Sequence, residues 1–198
     1  TRYPTVTGVQ TCALPICRCR RKGSEKTCQT ELQKYSGFKY CLRKKHVAVG
    51  LSDHTIKILD LSNGFEPIAN LNGHSNSVFA LGYSPDESLL CSGGRDAQLK
   101  FWNSSNYTLD ENIVAHMFAI NYLSFKEDGK FLATCSMDKS IKVWDVENRK
   151  LLKVIDKARN AGHGTSINKI LWSTYSGQVV SISDDRTISI WQIEAENL

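Results

Sequence analysis

Residues 132–145 read LATCSMDKSIKVWD, and the same pattern occurs once before and once after this stretch. Residues 90–103 read LCSGGRDAQLKFWN, and residues 180–192 read VSISDDRTISIWQ. Each copy has small residues, then a short turn containing aspartate, then alternating apolar residues that end at a tryptophan. This alternation predicts β-strands, and its recurrence predicts a protein built from repeats.

The spacing of histidine, aspartate and tryptophan supports the repeat. In each copy a histidine precedes the aspartate by 22 residues and the tryptophan by 28 residues. The three sets are His74–Asp96–Trp102, His116–Asp138–Trp144 and His163–Asp185–Trp191. Successive tryptophans are 42 and 47 residues apart, so an insertion of 5 residues lies between Trp144 and His163. A period near 42 is typical of a four-stranded propeller blade.

The units resemble repeats of the WD40 family over about residues 41–194. The resemblance rests on Gly-His or Ala-His at 73–74, 115–116 and 162–163, and on the FWN, VWD and IWQ endings. It implies an all-β fold, a β-propeller whose blades contain strands A to D. We expect a partial ring of about three complete four-stranded blades plus one degenerate blade. The chain is most similar to small stand-alone bacterial members of the family.

The degenerate blade is predicted from residues 51–60, LSDHTIKILD, where Leu59 takes the tryptophan position and Val49 replaces the usual Ser or Thr. In the other blades we expect strand D around residues 107–114 and 151–157. The predicted organisation is a non-native or disordered tail at 1–23, a partial degenerate blade at 24–69, blades at 70–112 and 113–158, and a last blade with strands A to C at 159–198.

Residues 6–16, VTGVQTCALPI, resemble a translated sequencing adapter, so residues 1–17 are not expected to belong to the fold. Because rings of this family typically close with about seven blades, we expect the chain to be the C-terminal part of a longer protein. If the chain begins as written, its ring would be completed by self-association or by a second protein. The sequence has no run of 18 apolar residues, which predicts that no segment spans a membrane.

Composition points away from several classes of site. The formal net charge is +5, but the basic residues gather in two short runs, at 18–22 and 43–45, which are typical of solvated loops. The seven cysteines lack paired CxxC spacing, so neither a metal site nor a cofactor is predicted. Cys91 and Cys135 end predicted strands, and free buried thiols there indicate a reducing compartment, the cytoplasm.

The resemblance assigns the repeated polar residues to structural tetrads. A buried indole N–H needs an acceptor, a hydroxyl supplies it, and a histidine oriented by aspartate completes the chain. A catalytic interpretation would read the same residues as Ser-His-Asp triads, but a catalytic site is needed once whereas three equivalent copies occur. The tetrads are His74, Ser92, Asp96 and Trp102; His116, Thr134, Asp138 and Trp144; and His163, Ser181, Asp185 and Trp191.

In the family, the loop before strand A and the turn between strands B and C lie on one rim, which often binds partners. The candidate residues on this rim are Asn76, Ser77, Arg95, Phe118, Met137, Thr165, Asp184 and Arg159. Apolar residues and arginine are enriched at protein interfaces, and Phe118 and Met137 are apolar where solvent is expected. The alternative for Phe118 is that it packs on the neighbouring blade.

These observations predict a non-catalytic scaffold that binds other proteins or peptides. Two alternatives remain. A substrate receptor or nucleic-acid-associated subunit would need a basic rim, for which Arg95, Lys157 and Arg159 give little support against Asp184. A propeller enzyme would need a non-repeating acidic or nucleophilic cluster facing the central channel, and the sequence shows none.

Overall fold

The computed structural model describes residues 35–175 and 177–193, with side chains from residue 37. The described residues form fifteen strands and one short helix. The predicted tail at 1–23, the adapter-like residues and the start of the degenerate blade lie outside them. The prediction of an all-β fold made of propeller blades is confirmed.

The strands form four antiparallel sheets in chain order, called blades 1 to 4. Blade 1 contains β1 (Tyr35–Cys41), β2 (His46–Leu51), β3 (Thr55–Asp60) and β4 (Glu66–Asn72). Blade 2 contains β5 (Val78–Tyr83), β6 (Leu89–Gly94), β7 (Gln98–Asn103) and β8 (Leu109–Val114). Blade 3 contains β9 (Ile120–Phe125), β10 (Phe131–Ser136), β11 (Ile141–Asp145) and β12 (Lys150–Ile155). Blade 4 contains β13 (Ile167–Trp172), β14 (Val179–Ser183) and β15 (Ile188–Trp191).

The degenerate blade forms all four strands although it lacks the tryptophan and the hydroxyl residue. Its β3 alternates buried Ile56 and Ile58 with partly exposed Lys57, and this pattern is enough to seat the strand against blade 2. Blade 4 has three described strands, so the complete four-stranded sheets are blades 1 to 3.

The insertion after strand D of blade 3 contains a helix, α1 (Lys157–Asn160). Asp156 caps it, because its carboxylate accepts a hydrogen bond from the backbone N–H of Arg159 at 2.8 Å. Lys157, placed in strand D by the sequence, belongs to this helix instead. No helix in the described part of the chain is long and apolar enough to cross a membrane.

The turn between strands B and C has the same chemistry in every blade. One residue of this turn has a positive φ in each of the four blades, and these residues are His54, Ala97, Lys139 and Arg186. The aspartate just before each of them accepts a hydrogen bond from the backbone N–H two residues further on. The aspartate therefore closes the turn that starts each strand C.

Apolar side chains fill the space between consecutive blades. Between blades 2 and 3, Cys91 and Phe101 meet Leu123 and Leu132, all of them buried. The other two junctions pack in the same way. Full burial of one such large side chain contributes about 1.5–3 kcal/mol, so these junctions hold the blades together.

The first strands of neighbouring blades contact one another, so β1, β5, β9 and β13 are the innermost strands. Glycine permits a close approach where blades 2 and 3 meet. A Cβ added at Gly93 would lie 2.7 Å from Cγ2 of Ile120, which is closer than carbon atoms pack.

Candidate functional site

The polar residues of blade 2 form one hydrogen-bonded chain. Nδ1 of His74 lies 2.9 Å from Oδ2 of Asp96, and Nε2 lies 2.7 Å from the Ser92 hydroxyl oxygen. That hydroxyl accepts a hydrogen bond from the Trp102 indole N–H at 2.8 Å. A neutral histidine with its proton on Nδ1 satisfies every member, since the serine O–H then donates to Nε2.

Blades 3 and 4 repeat this arrangement. His116 contacts Asp138 and Thr134, each at 2.8 Å, and the Trp144 indole donates to the Thr134 hydroxyl at 2.9 Å. The corresponding distances in blade 4 are 3.2 Å for His163 to Asp185, 2.8 Å for His163 to Ser181 and 2.9 Å for Trp191 to Ser181. The residues selected by spacing are therefore brought together in three blades.

Burial and hydrogen bonding shift the pKa values of residues in these networks. Burial alone would raise the pKa of Asp138, but hydrogen bonds from His116, Ser140 and the backbone lower it below its ordinary value. Burial would raise the pKa of Asp96 in the same way, but hydrogen bonds from His74 and from backbone N–H groups lower it below its ordinary value. Burial lowers the pKa of His116, although Asp138 opposes this. At neutral pH the aspartates are charged and His116 is neutral.

The hydroxyl groups of the networks are not available to a substrate. Ser92, Thr134 and Ser181 are each 0% exposed, and each hydroxyl contacts both a histidine and a tryptophan. A nucleophile must reach the reacting atom of its substrate, and these oxygens are enclosed by their own blades.

A cleft of about 610 Å³ is lined mainly by residues of the inner strands β1, β5, β9 and β13, with Val180 and Ile182 of β14. Its charged lining residues are Lys39, Lys169 and Glu87, and no histidine is among the described residues that line it. The Ser124 hydroxyl in the lining accepts a hydrogen bond from the backbone N–H of Trp172. Within the described residues, no group of three His, Cys, Asp or Glu side chains is placed to hold a metal ion.

The rim of blade 3 carries exposed apolar side chains. Met117 is 83% exposed, Phe118 60% and Met137 51%. The two segments that carry them are joined, since Met137 N–H donates to the Ala119 carbonyl at 3.0 Å and the Ser136 hydroxyl donates to the Phe118 carbonyl at 3.1 Å. We call Met117, Phe118 and Met137 the apolar patch. Sequence reasoning did not select Met117, although it directly follows the Ala-His pair of its own repeat.

Several predicted rim residues make local hydrogen bonds. The Asn76 side chain accepts from Ser77 N–H at 2.8 Å, and the Ser77 hydroxyl donates to the Ser52 carbonyl of blade 1 at 3.2 Å. The Thr165 and Ser183 hydroxyls lie 2.9 Å apart. These contacts join rim segments to one another.

The charged rim residues differ in their partners. Arg95 is exposed. Arg159 lies 3.3 Å from Asp156 in an ion pair at the surface. The Asp184 carboxylate accepts a hydrogen bond from the Asn168 amide at 2.6 Å.

Comparison with known families identifies the repeats. The model described as "WD domain, G-beta repeat" matches residues 65–103, 107–145 and 152–192, which is more than half of the chain. The chain belongs to the WD40 repeat family. The first three strands of blade 1 lie outside these matches, whereas its strand β4 falls within the first match.

Individual relatives of this WD40 chain include proteins of several kinds. It is 31% identical over 114 residues to the probable cytosolic iron-sulfur protein assembly protein 1 of Candida glabrata, covering 51% of this chain and 34% of that protein. It is 31% identical over 158 residues to the nuclear distribution protein PAC1 of Komagataella phaffii, covering 71% and 31%. It is 29% identical over 135 residues to the protein HIRA of Dictyostelium discoideum, covering 59% and 12%. The matched part is thus about a third or less of each relative.

Proposed function

We propose that this WD40 chain is a non-catalytic scaffold that binds a protein or peptide at the rim of blades 2 to 4. The apolar patch carries this proposal. The positions of Met117, Phe118 and Met137 correspond in blade 2 to Ser75, Asn76 and Arg95, and in blade 4 to Gly164, Thr165 and Asp184. An exposed apolar group that occurs in one blade only does not serve the repeat fold, and such groups mark interaction surfaces.

The three His–Asp networks act in this proposal as structural tetrads. Each one links the start of a blade to its second and third strands, and each is satisfied within its own blade. Satisfied buried networks rigidify a fold and help specify a single packing. A structural role needed in every blade explains why the His-to-Asp and His-to-Trp spacings are the same in three blades. A catalytic role, needed only once, does not explain this repetition.

The diversity of the relatives supports a binding role that is set by the surface. Their names refer to iron-sulfur protein assembly, nuclear distribution and mitochondrial division, although all share the repeat. Fold alone therefore does not fix the partner, and the partner of this chain follows from its own rim residues.

We place the protein in the cytoplasm. Cys41, Cys91 and Cys135 are free and buried, and Cys91 and Cys135 pack in the junctions between blades. Free thiols at core positions are typical of proteins that work in a reducing compartment.

A peptide-display selection tests the proposal. Random peptides are selected on the immobilised chain, and the selected pool is then passed over the Phe118→Ser variant. The proposal predicts peptides that bind the parent chain and lose binding to the variant. Ile68→Ser, which changes an exposed apolar residue on outer strand β4, is the matched control and should retain binding. A selected pool that binds the Phe118→Ser variant as well as it binds the parent chain would contradict the proposal.

A further inference from the structure

The apolar patch has exposed cations on both sides along the rim, an arrangement that bears on the partner of the proposed binding surface. Arg95 lies in the turn of blade 2 and Lys139 in the turn of blade 3, two residues after Met137. Arg186 lies in the turn of blade 4, at the repeat position of Lys139. All three side chains are exposed.

The insertion brings a further cation to this rim. Helix α1 carries Lys157 beside the loop that precedes strand A of blade 4. A Cβ added at Gly164 in that loop would lie 3.7 Å from the Lys157 ammonium nitrogen. Lys157 thereby adds positive charge at the repeat position of Met117, where blade 4 itself has only a glycine.

The aspartates of the same rim segments are already engaged. Asp96, Asp138 and Asp185 each contact a histidine and accept a hydrogen bond from the backbone N–H of the residue directly after that histidine. Asp184 accepts from the Asn168 amide, and Asp156 pairs with Arg159. The aspartates keep their charge, but the side chains of Asp96 and Asp138 are only 3% and 8% exposed. Arg95, Lys139, Lys157 and Arg186 are exposed, so a partner that docks on the apolar patch can reach these cations.

We propose that the rim binds an acidic peptide segment carrying an apolar anchor residue, which sits on Met117, Phe118 and Met137. This inference rests on the proposed binding function of the rim and names its partner class. The acidic residues on either side of the anchor would reach Arg95 and Lys139 in one direction and Arg186 and Lys157 in the other. Packed sheets lie about 10 Å apart, so two blade steps span about 20 Å, or about six residues of extended peptide.

The apolar patch favours a peptide over a nucleic acid. Methionine adapts its shape to apolar side chains and recurs at surfaces that bind peptides. A single-stranded nucleic acid uses cations together with a series of aromatic rings for base stacking, and within the apolar patch the only ring is that of Phe118. Binding of an oligonucleotide is therefore a contrary outcome of the test.

The test measures fluorescence anisotropy with three labelled peptides of equal length on the full chain. One peptide carries a Leu-Phe pair flanked by glutamates, a second has the glutamates replaced by lysines, and a third keeps the glutamates but has Ser-Gly in place of Leu-Phe. The first should bind at least about tenfold more tightly than either of the others, which is the loss typical of a central interface residue. A labelled oligothymidylate serves as the nucleic-acid probe.

Variants of the chain locate the binding. Met137→Ser and Arg95→Glu should each weaken binding of the first peptide about tenfold, whereas Lys150→Glu, an exposed charge reversal on outer strand β12, should leave it unchanged. Equal binding of the three peptides, binding that ignores the rim variants, or tighter binding of oligothymidylate overturns the inference. If display selection yields rim-dependent peptides that are neutral or basic, the scaffold function stands and the acidic partner class is wrong.

Discussion

The Thr134 hydroxyl lies 2.8 Å from Nε2 of His116 and 2.9 Å from the indole nitrogen of Trp144, and it is the single group that joins them. Its residue is 0% exposed, so no water replaces it. The Thr134 hydroxyl accepts a hydrogen bond from the Trp144 indole and donates one to His116. Removing this hydroxyl therefore breaks the network of blade 3 at two places.

Replacement of that hydroxyl should destabilise blade 3. Thr134→Val keeps the shape but leaves two buried polar groups unpaired, which we expect to cost about 2–4 kcal/mol of unfolding free energy. Thr134→Ser, which retains the hydroxyl, should cost less. Urea unfolding followed by tryptophan fluorescence measures both. Thr174→Val changes an exposed threonine and should stay within about 0.5 kcal/mol of the parent chain. An equal loss of unfolding free energy in Thr134→Val and Thr174→Val would show that the Thr134 hydroxyl does not stabilise blade 3.

Stability should fall on acidification in two steps. His116 has a lowered pKa in the folded chain, so its contribution is complete above its unfolded pKa of about 6.5 and is lost as the pH falls below that value. Asp96 and Asp138 also have lowered pKa values, so their contributions are complete above about pH 4 and are lost as the pH falls towards their folded values. Urea midpoints measured from pH 8 to pH 3 test this sign. Asp138→Asn should flatten the acid step, and a midpoint that rises on acidification would contradict it.

Blade 1 should open locally when its contact with Glu87 is weakened. The Glu87 carboxylate accepts hydrogen bonds from the backbone N–H groups of Leu42 and Arg43, each at 2.9 Å, and so fastens the turn after β1 to blade 2. Glu87→Gln removes the negative charge, and we expect the Leu42 and Arg43 amides to exchange about threefold faster or more. Hydrogen exchange resolved by residue measures this. Glu127→Gln, in an exposed turn of blade 3, should leave both amides unchanged.

The core thiols should report on unfolding. Cys91 and Cys135 are 0% exposed, and burial raises the pKa of each thiol well above its ordinary value. We expect iodoacetamide to modify them only when the chain unfolds, with labelling followed for each cysteine by peptide mass spectrometry. Rapid modification of either thiol in the absence of denaturant would show that the junctions between blades are open.

Much of the fold could be predicted because each blade repeats the same local rules. The aspartate turn before strand C and the alternation within it are encoded by neighbouring residues, so the strands predicted by alternation within residues 90–103, 132–145 and 180–192 are found there as β7, β11 and β15. The constant spacing of His74, Asp96 and Trp102 also selected residues that lie in one network, since repeated spacing reflects repeated geometry.

The features that the sequence did not reveal depend on residues far apart or on local competition. Glu87 contacts a turn 45 residues before it, and no periodic pattern marks such a contact. The sequence predicts strand D to about residue 157, but β12 ends at Ile155 and helix α1 begins at Lys157. The Asp156 cap favours a helical turn over further strand pairing. The exposure of Phe118 could not be decided from its type, since an apolar residue at that position packs inward or outward according to its neighbours.

Rim residues bind the partner, whereas the residues of the three networks hold the fold. The most direct test compares Phe118→Ser with Thr134→Val in one experiment that measures urea midpoint and capture of rim-selected peptides. We predict that Phe118→Ser abolishes capture and leaves the midpoint close to that of the parent chain, because 60% of the Phe118 surface is exposed. Thr134→Val should lower the midpoint clearly. A large fall in the midpoint of Phe118→Ser would instead show that Phe118 supports the fold, and the proposed binding surface would lose its anchor.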